Sequence, residues 1–164
     1  MRKTAIFVEG RTELIFVREL LLRLFEYQNI DLECYSLLRG QFKTAQFNVE
    51  DSSAENHFMI INAGSDTLVV PSILEREQYF INKKYDKIIG LRDMYSEKYL
   101  FLNKSKRKIE EELNQRFLKE SQKTILEKAK TNKLKIIGDG NNLVDFNYID
   151  DCVDAHILAM KALT

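Results

Sequence analysis

Three acids and two arginines in this chain are spaced so that they could act together. Glu9 follows a short apolar run at residues 5–8 and stands before Gly10, and Glu13 comes four residues later. Asp93 stands just beyond a second apolar run, residues 87–91, and Arg11 and Arg92 flank the acids. A hard divalent cation takes oxygen ligands, and Mg²⁺ needs only one or two protein carboxylates beside water and phosphate. Glu9 and Asp93 are the candidate metal ligands, on condition that their two strands are neighbours. Gly10 would let a phosphate approach closely. Arg11 and Arg92 would bind phosphate or steady developing charge. Glu13 would serve as a base, or simply favour the first turn of a helix. A plainer reading stays open: Glu9 accepts amide hydrogen bonds at a helix start, and Asp93 closes an ordinary strand.

The elements that must position these groups follow from the hydrophobic pattern. Residues 4–8 read as a buried strand, apolar without alternation. Over residues 12–27, Leu14, Val17, Leu21, Leu24 and Phe25 recur at helical spacing. Residues 33–38, 58–61 and 87–91 read as further strands, and 41–56 as loop. Pro71 suits the first turn of a helix running to about Lys84. The order predicts an α/β fold with a small, mostly parallel sheet flanked by helices. In such sheets ligands meet the carboxyl ends of the strands.

Beyond Asp93 the character changes. Residues 103–130 are highly charged, with a narrow apolar stripe at Ile109, Leu113, Phe117 and Leu118, and predict a long helix. Residues 134–137 and 143–149, around the turn at 138–141, predict a hairpin-like pair followed by a closing helix. The expected division is an α/β domain at 1–102, a charged junction at 103–124 and a C-terminal piece at 125–164.

Composition sets the outer limits. A hydrophobic fraction of 45% in 164 residues supports a proper core. With 25 basic and 25 acidic residues, the formal net charge is zero, so a nucleic-acid partner would need a local patch. Lys104, Lys106, Arg107 and Lys108 form one, but Glu110, Glu111 and Glu112 offset it. Cys34 and Cys152 lack pairing or metal-ligand spacing, which fits free thiols in a reducing, cytoplasmic setting. No apolar run reaches the ~20 residues that span a bilayer, so no membrane partner is expected. Cys152 and His156 lie one turn apart, too few for a zinc site, and His57 reads as an isolated structural residue.

Two stretches carry family resemblances. VEGRTE after the first strand, with IIGLRDMYS later, resembles the TOPRIM fold over about residues 1–102. The resemblance is to small bacterial TOPRIM-like proteins related to overcoming-lysogenization-defect nucleases and other phage-defence components. It implies a Mg²⁺-dependent nuclease-like centre, with Glu9 as general acid/base or ligand and Asp93 as ligand. The fuller pattern has Asp-x-Asp at the later strand, and Tyr95 stands at its second acid.

Residues 125–163 differ in kind. GDGNNLVDF followed by YIDDCVDAHILA resembles the late, substrate-side segment of extended short-chain dehydrogenases, particularly the 3β-hydroxysteroid dehydrogenase group. That segment carries neither the family's tyrosine–lysine pair nor its dinucleotide fingerprint. Gly138-Asp139-Gly140 lacks the third glycine of a phosphate loop. Tyr79 and Lys83 match Tyr-x-x-x-Lys, but lie in the TOPRIM-like part without a cofactor unit upstream. The expectation is therefore that no NAD is used and no dehydrogenase activity occurs. The chain reads as chimeric, with the pieces joined near residues 115–125. The rival to a nuclease is a catalytically inactive protein-binding module, antitoxin-like or a regulatory partner, since an exposed apolar face on a small domain invites a partner.

Overall fold

The computed structural model describes residues 1–91, together with 119, 123, 127–129 and 134–136. Its elements are β1 (Arg2–Val8), α1 (Arg11–Leu24), β2 (Ile30–Leu38), β3 (Gln41–Thr44), β4 (Asn56–Asn62), α2 (Asp66–Asn82), β5 (Lys87–Gly90) and β6 (Leu134–Ile136). The six strands form one sheet in the order β3-β2-β4-β1-β5-β6. All neighbours are parallel except the β2–β3 pair, so the fold is the expected α/β class with a mostly parallel sheet.

The apolar pattern explains the layers. Along β1, Ala5 and Phe7 point to one face while Ile6 and Val8 point to the other, and all four are buried. A strand covered on both faces has no need of polar alternation. Helix α1 packs Leu14, Val17, Leu21 and Leu22 against the Ile6–Val8 face. Helix α2 packs Val69, Ile73 and Phe80 against the Phe7–Ile61 face. Each such fully buried side chain stabilises the fold by about 1.5–3 kcal/mol before entropy is counted. Phe80 anchors an aromatic cluster, edge-on to Phe7 at 5.7 Å and to Tyr85 at 4.9 Å between ring centroids. Gly90 lets α2 come close: a Cβ there would lie 2.8 Å from Ile73 Cδ1.

Three expectations change. Helix α2 begins at Asp66, five residues before Pro71, so the proline sits inside the helix. Ser65 in extended conformation is its cap residue, and Asp66 supplies the acid that favours a helix start. The stretch 41–56 is not all loop. β3 pairs antiparallel with β2, and Val49 bridges Leu32 through hydrogen bonds of 2.8 Å in both directions. Lastly, Leu134–Ile136 pairs in parallel with β5, whereas the hairpin partner expected for it, 143–149, lies outside the described residues. The helix expected over 103–130 is described at 119, 123, 127 and 128, all helical.

Candidate functional site

The loops leaving β1 and β4 lead to helices on opposite faces of the sheet. Their carboxyl ends therefore border the crevice where doubly wound folds receive ligands. Val8 C=O accepts a 2.8 Å hydrogen bond from Ala63 N–H, which ties the two strand ends together. On the β4 side, Asn62 Oδ1 accepts from Gly64 N–H at 2.9 Å, and Gly64 has φ +97°, a left-handed conformation that favours glycine. The Ser65 and Thr67 hydroxyls lie 3.0 Å apart at the start of α2.

On the β1 side, Glu9 is half-buried, directly after the strand, and Gly10 caps α1 in an extended conformation. Glu13 occupies the first turn of α1, and its side chain folds back over the turn. A Cβ on Gly10 would lie 2.8 Å from Glu13 Oε2. The carboxylate thus stands beside the glycine that sequence reasoning reserved for a phosphate. A second carboxylate at a helix start is favourable to the helix and unfavourable to an incoming anion. Arg11 is exposed and stacks its guanidinium 5.5 Å from the centre of the Phe47 ring. Glu9, Arg11 and Glu13 are therefore together at one turn. Arg92 and Asp93 lie outside the described residues. Among the described residues, no group of three or more His, Cys, Asp or Glu is placed to hold a metal ion.

The most developed polar cluster lies at the opposite end of the sheet, where sequence reasoning had placed only an isolated histidine. His57 is 8% exposed. Its Nδ1 is 2.6 Å from Asp31 Oδ2 on β2, and its Nε2 is 3.0 Å from the Tyr85 hydroxyl. That hydroxyl donates in turn toward Met59 Sδ at 3.4 Å. Burial, followed by the nearby Glu33 charge, pushes the Tyr85 phenol well above its ordinary range. The parallel β2–β4 register sets Asp31 opposite His57. Only knowledge of that register could have joined these residues. Cys34 is buried too, and burial raises its thiol from 9.0 to about 11, partly offset by Arg18.

Comparison with known proteins bears on the other part of the chain. A family model described as "NAD dependent epimerase/dehydratase family" matches residues 99–164. The 2-alkyl-3-oxoalkanoate reductase of Stenotrophomonas maltophilia (strain K279a) is 46% identical over 39 residues. That alignment covers 24% of this chain and 12% of the reductase, so the chain spans a small fraction of the relative's length. No solved structure matches. The C-terminal segment is thus similar to extended dehydrogenases, as its motifs indicated.

These matches correct two expectations. The matched proteins are NAD-dependent epimerases and a reductase, which overturns the reading as a TOPRIM-like nuclease of phage defence. They equally overturn the expectation of Mg²⁺ with no NAD. Among the described residues, the first βα turn does not fit a dinucleotide. The Rossmann turn needs several glycines before a pyrophosphate can reach the helix start, whereas here Glu9 and Glu13 bracket a single glycine. Among the described residues, no helix is long and apolar enough to cross a membrane.

Proposed function

We propose that residues 1–91 form a non-catalytic binding module, joined to a segment of NAD-dependent epimerase or reductase type. The observation that carries the module reading is the closed β1–α1 turn, where Glu13 lies against Gly10 at the place a ligand would enter. A carboxylate there stabilises the helix start and repels phosphate, so the sheet's best-placed turn serves the fold. The partner of such a module is a protein, bound through sheet backbone or apolar surface and not through acid–base chemistry.

A second reading is favoured by one specific finding, the match over residues 99–164. On it, the chain takes part in NAD(P)-linked reduction of a 3-oxo acid or a related carbonyl compound, with the α/β module outside the reacting site. The two readings separate in one experiment on the full chain. NADH and NADPH are titrated by fluorescence, and oxidation is followed with a 3-oxoalkanoate, for wild type and Glu9→Gln. The oxidoreductase reading expects saturable binding, and its absence removes that reading. The module reading expects Glu9→Gln to leave binding and turnover unchanged. A loss of about tenfold or more, equivalent to ~1.4 kcal/mol, would contradict it.

A further inference from the structure

A tyrosine hydroxyl has one proton to donate, and two acceptors stand within reach of Tyr85. His57 Nε2 lies 3.0 Å from the hydroxyl oxygen, and Met59 Sδ lies 3.4 Å from it. The hydroxyl serves one of them at a time. Which one depends on the histidine. With His57 neutral and its Nδ1–H donated to Asp31 Oδ2 at 2.6 Å, Nε2 is bare and accepts from Tyr85. With His57 protonated, Nε2–H donates to the Tyr85 oxygen instead, and the phenol proton must turn elsewhere. Met59 Sδ, a weak acceptor, stands where it can receive that proton. Rotation about one C–O bond converts the first arrangement into the second, and no heavy atom need move.

The surroundings suit both arrangements. Asp31 faces His57 from β2, and Glu33 follows on the same strand, its charge felt at Tyr85. Lys3 is matched to His57 on β1, with its Nζ 5.9 Å from the centre of the Tyr85 ring. Asp86 accepts from the Lys3 N–H at 2.8 Å, and the Asp51 N–H donates to Asp31 Oδ1 at 3.4 Å. From α2 comes Phe80, an uncharged ring against Tyr85. We propose that Asp31, His57, Tyr85 and Met59 form a proton-linked switch: His57 takes a solvent proton at Nε2, and the Tyr85 hydroxyl turns from Nε2 to Met59 Sδ. The Asp31–His57 contact persists in both states, so β2, β4 and the turn after α2 stay tied while the histidine changes charge. Histidine suits such a switch, because its ordinary charge change falls between about pH 5 and pH 8. Met59 thereby has a part that packing alone does not give it. The switch lies at the amino end of the sheet and is independent of the module reading.

The test compares urea unfolding of the full chain, wild type and Met59→Leu, at about pH 8 and about pH 5.5. Leucine keeps a similar volume without the thioether acceptor, so any packing cost is shared by both conditions. At the lower pH the hydroxyl of Met59→Leu has lost the acceptor it turns to. The unfolding constant of the variant relative to wild type should then rise about fivefold over its value at the higher pH. An equal ratio in both conditions would overturn the proposal. Side-chain nitrogen NMR of His156→Gln, in which His57 is the one remaining histidine, leaves all four residues of the switch unchanged. Nδ1 alone should carry a proton at about pH 8, and both ring nitrogens at about pH 5.5. Ring protonation that is the same in both conditions, or a bare Nδ1 at the higher pH, would overturn it as well.

Discussion

The two ends of the sheet use polar residues in opposite ways. At the amino end, Asp31, His57 and Tyr85 are brought from β2, β4 and the turn after α2 into one hydrogen-bonded chain. At the carboxyl end, Glu9, Gly10, Arg11 and Glu13 all come from a single turn, and the carboxylate of Glu13 lies against its own backbone. Groups gathered from distant parts of the sequence fix how strands meet. Groups gathered from one turn mostly shape that turn. On the proposed reading, the polar cluster at the amino end is structural, and the β1–α1 turn is filled by local chemistry.

The contrast can be broken most forcefully at His57. His57→Phe keeps a ring of similar shape but takes the imidazole from the Asp31 carboxylate and from the buried Tyr85 hydroxyl, which keeps its contact with Met59 Sδ. Leaving buried groups unsatisfied costs about 1–3 kcal/mol, to be read by urea unfolding. A cost near zero would mean that the cluster does not fix the register. Tyr85→Phe in the same background should recover part of the loss, because it removes the buried hydroxyl that has lost its histidine partner.

Alkaline pH sharpens the same comparison through Cys34, buried on β2 beside the α1 layer. Its folded-state pKa is raised from 9.0 to about 11, so the folded state favours the neutral thiol. The resulting stability is complete below pH 9.0 and is lost as the pH climbs toward about 11. Tyr85 acts with the same sign above its ordinary value of 10.0. Unfolding free energy should therefore fall through this window, and Cys34→Ala should flatten its lower part. A wild-type profile already flat across the window would contradict the burial of the thiol.

The smallest effect belongs to the turn. Glu13→Gln removes a favourable charge from the first turn of α1 and should cost about 0.3–1 kcal/mol, decreasing with salt. A gain in stability would mean that Glu13 is held there against its electrostatic preference, as expected of a ligand-binding group and not of a helix-start residue.

Much of this was legible from residues alone. Unbroken apolar runs marked β1, β4 and β5, and the stripe from Leu14 to Leu24 marked α1, because burial on two faces or on one stripe leaves an unmistakable period. The placing of Glu9, Arg11 and Glu13 at one strand-to-helix turn was legible too, since they are neighbours in sequence. β3 was not, because a short polar edge strand such as QFKT buries little and leaves no period. Pro71 marks the helix but not its start, because its fixed φ is compatible with a helix beyond the first turn that it usually occupies. The pairing of Asp31 with His57, and of Leu134–Ile136 with β5, depends on register between distant segments. No local pattern carries that information.

The claim that the β1–α1 turn is closed by its own carboxylate is tested most directly by hydrogen–deuterium exchange of the full chain with and without saturating NADPH. The account predicts that the amides of residues 8–13 exchange at the same rate in both conditions. Clear slowing of exchange across those amides when the dinucleotide is added would contradict it, because it would place the ligand on the very turn that Glu13 is described as filling.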